Sequence, residues 1–164
     1  MIRMVGALVD ASEQAEQLVG KLEMGLTEAR KRVSRLPRQP RVFFEEWDDP
    51  LISGIGWVSE LIETAGGVDI FADRRHQGAA MDRIVSVEEV VARAPDLIIG
   101  SWCGKKFRPE RVAVRADFAQ IPAVQLQDMY EIKSSLILQP GPAALTDGLA
   151  ELQTIVGRWA GLTV

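Results

Sequence analysis

Short, wholly apolar runs set between helix-length segments constrain this chain more than any other feature. Val42-Phe43-Phe44 and Leu97-Ile98-Ile99 read as strands buried on both faces. Between and around them, Trp57–Ala65 reads as a helix ended by Gly66-Gly67, and Val68–Phe71 as a short extended segment. Ser86-Val87-Glu88-Glu89 has the form of a capping box, with Ser86 as N-cap and Glu89 at N3, opening a helix that runs to Ala94. Pro95 ends it. Farther on, Pro109–Ala116 predicts a helix, Ala123–Leu126 and Met129–Ile132 predict strands, and Pro142 suits the first turn of a final helix to Ala160. Strands alternating with helices imply an α/β fold in three layers, a mainly parallel sheet with helices on both faces.

One long helix is expected ahead of that sheet. Leu8, Ala11, Ala15, Leu18, Leu22, Leu26, Ala29, Val33 and Leu36 follow one another at steps of three or four, a single helical stripe. Such a helix would be about 43 Å long. Glu13, Glu16 and Glu23 lie toward its amino end, and Arg30, Lys31, Arg32 and Arg35 toward its carboxyl end, as the helix dipole favours. Pro37 and Pro40 stop it. It is longer than a compact domain of this size needs to cover its own sheet. Either it is an ordinary surface helix or it is a connector whose amino half packs on something else. The expected organisation is therefore a connector over 1–38 and an α/β lobe over 39–164.

Composition removes several functional classes. The 164 residues are 47% hydrophobic, enough for one real core. A net charge of −4 and a pI near 5.1 leave no basic footprint for nucleic acid. The single cysteine, Cys103, and single histidine, His76, exclude an intrachain disulfide and any zinc site built on several cysteines or histidines. No apolar run is long enough to span a bilayer. Met1-Ile2-Arg3-Met4-Val5 lacks the core and cleavage site of a secretory signal, so the chain as written is expected to stay where it is made.

Candidate chemistry gathers at the carboxyl ends of the strands, where open α/β sheets bind their ligands. After the first strand come Glu45, Glu46, Trp47, Asp48, Asp49 and Pro50; after the middle one Ser101, Trp102 and Cys103; after the last Ser134, Ser135 and Gln139. Tryptophans at a cleft rim offer a flat apolar face and an indole donor, and hydroxyls and amides beside them would orient a polar ligand edge. Trp47 and Trp102 could equally plug the top of the sheet. Trp57 and Trp159 read as core. The acids after the first strand could hold a hard cation through oxygens, but read better as a solvated turn. Cys103 with His76 could act as nucleophile and base, though nothing in the sequence brings them together and no oxyanion motif accompanies them.

The series Phe-Phe-Glu-Glu-Trp-Asp-Asp-Pro-Leu, then Gly-Trp-Val-Ser-Glu-Leu-Ile with Ala-Gly-Gly, resembles the carboxyl lobe of class III substrate-binding proteins of ABC importers. Pro95-Asp96-Leu97-Ile98-Ile99 and Ser135-Leu136-Ile137-Leu138-Gln139-Pro140-Gly141-Pro142 carry the same resemblance. The cobalamin-binding (vitamin B12) branch is the best match, beside the haem and ferric-siderophore binders. The low histidine count argues against the zinc and manganese branch. The resemblance implies two lobes joined by a rigid helix, with ligand in the cleft between them. Residues 8–36 answer to that helix, and the chain to helix plus carboxyl-terminal lobe, truncated relative to the family and lacking its export signal. It implies a periplasmic or extracytoplasmic site of action.

The resemblance therefore implies a non-enzymatic binding component, without a cofactor or catalytic residues, for a corrinoid. Haem or ferric-siderophore binding, and a truncated interaction module without ligand binding, are the alternatives. Carried over, the ligand-facing residues are Glu46, Trp47, Asp48, Ser101, Trp102, Cys103, Ser135 and Gln139, and the residue that docks on the membrane permease is Glu110. Trp47→Ala and Trp102→Ala are expected to weaken binding with little loss of fold. Leu8, Ala11, Ala15 and Leu18, bare without a second lobe, predict a homodimer.

Overall fold

The structure, a computed structural model, describes residues 1–34 and 36–162. Helix α1 (Ile2–Leu8) and helix α2 (Ser12–Val33) come first. Strands β1 (Arg41–Asp48) and β2 (Leu51–Ser53) follow, then α3 (Gly56–Thr64) and β3 (Val68–Asp69). Next are α4 (Val87–Arg93), β4 (Leu97–Gly100), α5 (Pro109–Ala113) and α6 (Pro122–Gln125). Strand β5 (Met129–Glu131), α7 (Ser134–Ile137) and α8 (Leu149–Trp159) complete the chain.

The sheet has the order β2-β1-β4-β5, and β3 shares the β2 edge of β1, alongside that strand's start. All pairings are parallel except β1–β2. Strand alternation divides the interior into two cores. Val42, Phe44, Leu97 and Ile99 face α2, α3, α7 and α8, against Ala29, Val58, Ile62, Ile137 and Leu152. Phe43 and Ile98 face the other way, against Phe71, Val90, Phe107, Val112 and Phe118. The expected three-layer, mainly parallel α/β architecture is present.

Five details correct the sequence reading. The long helix begins at Ser12 rather than Leu8, because Asp10 (φ 54°) and Ala11 (φ −125°, ψ 38°) break it. Residues 2–8 instead form α1, which folds back on α2. Gly6 permits the contact, since a Cβ there would lie 2.4 Å from the Cβ of Ala15. Ala15 is consequently buried, whereas Leu8 stays 80% and Leu18 37% exposed. Within α2 the last-turn cations Arg30, Lys31 and Arg32 are present as expected, while Arg35 lies outside the described residues.

The acidic stretch after Phe44 is not a loop. Strand β1 continues through Asp48 and turns at Asp49-Pro50 into β2, with an irregularity in the pairing between Glu45 and Trp47. Residues 123–126 fall in a helix rather than a strand. Pro122 occupies the first turn of α6, where its fixed φ and missing N–H are tolerated. The helix from Pro109 ends at Ala113, and the last one opens with a wide π turn over Ala144–Gly148.

Candidate functional site at the carboxyl edge of the sheet

Adjacent carboxylates at the end of β1 are each held by an arginine from far along the chain. Glu45 is fully buried on the Phe43 side. Arg115 grips it in fork geometry, Nη1 to Oε2 at 2.6 Å and Nη2 to Oε1 at 2.8 Å. The indole Nε1–H of Trp102 donates to the same Oε1 at 2.9 Å. Burial pushes the Glu45 carboxyl above the ordinary glutamate value, against the pull of Arg115 and Trp102. Glu46 points to the other face, where Arg83 donates from Nη1 at 2.7 Å and Nη2 at 3.2 Å, and the backbone N–H of Ile55 at 3.1 Å.

These clamps decide what the site residues can offer. Trp102 is 3% exposed, edge-on to Phe107 with ring centroids 5.0 Å apart. The expectation that its ring stands free at the strand end is thereby corrected, because its donor is spent on Glu45 and the ring packs against Phe107. Ser101 is buried too, and its hydroxyl has no partner among the described residues. Trp47 is half-buried, its Nε1–H donating to the Asp49 carbonyl at 2.9 Å. Lys105 pairs with Asp48 and sets its ammonium 4.2 Å from the Trp47 ring centroid and 5.1 Å from that of Trp102.

Glu46, Trp47, Ile52, Cys103, Leu138 and Gln139 line one open hollow of about 400 Å³, within the range of small-molecule sites. Four expected ligand residues thus converge there: Glu46, Trp47, Cys103 and Gln139. Asp48 is engaged beside it by Lys105, and Ser135 is exposed on α7 without lining it. Cys103 and His76 are both exposed, and no hydrogen bond joins them among the described residues. Glu110 is exposed at the start of α5, 3.8 Å from Arg108. Arg83, Arg115, Lys105 and Lys133 were not legible as site residues; a lone basic residue in a loop carries no positional signal until the sheet is assembled.

Trp57, expected as core, is only half-buried and donates its Nε1–H to the Ile137 carbonyl at 2.9 Å. Together with Ile2, Val19, Pro140 and Leu145 it lines an apolar hollow of about 420 Å³ between α1 and the segment before α8. Among the described residues, no group of three or more histidine, cysteine, aspartate and glutamate side chains could hold a metal ion. No helix among them is long and apolar enough to cross a membrane.

Comparison with known proteins places this arrangement. No curated protein matches the chain. Among solved structures, an ABC transporter substrate-binding protein from Listeria monocytogenes is 18% identical with a TM-score of 0.77, covering 94% of this chain and 61% of its own. A periplasmic haem-binding protein from Roseiflexus is 22% identical with a TM-score of 0.75, covering 94% and 61%. The periplasmic vitamin B12 binding protein of Vibrio cholerae is 22% identical with a TM-score of 0.61, covering 92% and 53%. At these identities the likeness is one of fold, and the chain spans only 53–61% of those structures. The family model described as periplasmic binding protein matches residues 1–136, most of the chain. With that match and the ligand-sized hollow at the sheet's carboxyl edge, the chain belongs to the periplasmic binding protein family.

Proposed function

We propose that this chain supplies a ligand-binding lobe of an ABC importer's substrate-binding component. Its ligand is a bulky chelate or macrocycle of the corrinoid, haem or ferric-siderophore kind. The observation that carries the reading is the hollow where Trp47 of β1, Cys103 after β4 and Gln139 after α7 meet, in a chain of this family. The ligands in the neighbours' names, haem and vitamin B12, are compatible with a half-buried tryptophan face bordered by polar groups. Corrinoid and haem stand level here. No enzymatic step is assigned to Cys103.

In this reading the lobe acts outside the cytoplasmic membrane and docks on a membrane permease, with Glu110 as the contact on this lobe. Titration with cyanocobalamin, haemin and a ferric hydroxamate, followed by tryptophan fluorescence, tests it. One of the three should quench Trp47 with micromolar or weaker affinity, because a single wall leaves much of the ligand in water. Nanomolar binding by a demonstrated monomer would contradict the one-wall account.

A further inference from the structure

We propose that the groove beside the hollow is an anion subsite, in which Lys106 and Lys133, with Lys105, receive carboxylates at the edge of a flat apolar ligand. The inference rests on the preceding reading of the strand ends as a ligand site, and it names the ligand's charge. Neighbouring parallel strands create the groove. The segment after β4 carries Lys105 and Lys106, and Lys133 follows β5. With Glu131, Ser134 and an edge of Trp102 they line about 540 Å³ of open space.

The charges there are unevenly spent. Lys105 pairs with Asp48, while Glu131, which accepts the backbone N–H of Phe107 at 3.0 Å, keeps its negative charge on the groove wall. Lys106 and Lys133 form no ion pair among the described residues. In a chain of net charge −4, the two uncommitted ammonium groups outweigh the single Glu131 carboxylate on this groove and reverse the local sign. Lysine suits a carboxylate approached from several directions, as a compact charge on a flexible stem.

The groove adjoins the Trp47 hollow through Lys105, which lines the one and covers the indole of the other. A flat apolar surface made by Trp47, Ile52 and Leu138 therefore borders a cationic one. That pairing fits a planar body with carboxylates on its rim, such as a tetrapyrrole acid, better than a macrocycle whose rim carries only amides. The lysine-bearing segment is already in place. Trp102 is tied to Glu45, and Gly100 makes room for the Phe107 ring, which a Cβ at that position would meet at 1.8 Å. Little ordering remains to be done on binding.

Coproporphyrin III and its uncharged tetraamide share one plane and differ in rim charge. Each is titrated into the full chain by tryptophan quenching, in wild type and in K106Q/K133Q. The acid is expected to bind about fivefold to tenfold tighter than the tetraamide at low salt, as two exposed charge pairs allow. In K106Q/K133Q that preference should shrink below about twofold, with the tetraamide's affinity unchanged. Equal binding of the two probes by wild type would overturn the anion subsite while leaving the ligand site standing. A preference that survives in the double variant would overturn the assignment to these lysines. Failure of both probes to quench would overturn this inference, while the site it rests on stands or falls with the separate titrations by cyanocobalamin and a ferric hydroxamate.

Discussion

Glu45 and Glu46 are chain neighbours on opposite faces of β1, and each ends on a different arginine. Glu45→Ala would strand Arg115 and the Trp102 indole without an acceptor, at a cost of about 3 kcal/mol or more in denaturant melts. Glu45→Gln keeps an acceptor and should cost much less. Its pH dependence follows from burial, which raises this carboxyl above its ordinary value of 4.5. The folded state then holds the proton to higher pH than the unfolded chain does. The contribution to stability is fullest below about 4.5 and is lost as pH rises through the folded value. Glu45→Gln cannot ionise, so its stability should fall less than wild type over that rise. A steeper fall would refute the assignment. Of the tryptophans, Trp102→Ala should cost ~3–5 kcal/mol as a core truncation. Trp47→Ala, half-buried, should cost about 1–2 kcal/mol and act mainly on ligand quenching.

At the level of elements, local patterns were readable where neighbours in sequence decide the structure. The capping box is present as read, with Ser86 Oγ accepting from Glu89 N–H and the Glu89 carboxylate from Ser86 N–H. Strand β4 begins where its apolar run does, and β1 one residue before its own, at Arg41. The differences from the sequence expectation have both long-range and local causes. Acids at 45–48 looked like a turn because Arg115 and Arg83, which let them stay in a strand, lie 70 and 37 residues away. The break at Asp10 was hidden because the three-and-four spacing of apolar residues runs straight across it. Of the site, the tryptophan and polar residues after the strands were readable as candidates, whereas the basic partners and the burial of Trp102 needed the fold. Gly100→Ala tests this dependence, since its methyl group must displace Phe107 from Trp102. A loss of about 1–3 kcal/mol is expected in chemical denaturation; an unchanged midpoint would show that the Phe107 side of the segment is slack.

Across the whole molecule, two surfaces are offered to other molecules. Met1, Met4, Val5, Leu8 and Val9 are exposed on or beside α1, and Leu18 adds to them. We propose that this face pairs two copies of the chain. Light scattering should give twice the 18.1 kDa chain mass, reduced to a single chain by Leu8→Glu with Leu18→Glu; a monomer throughout the micromolar range would end the proposal. The other surface is the carboxyl edge of the sheet, and it carries the central claim. The most direct test is an amide and indole NMR titration with cyanocobalamin, gallium protoporphyrin and a gallium hydroxamate, all diamagnetic. The account predicts that at least one of them shifts resonances concentrated in residues 46–52, 101–106 and 133–139, including the Trp47 indole. Shifts confined to other surfaces, or none with any of the three, would contradict it.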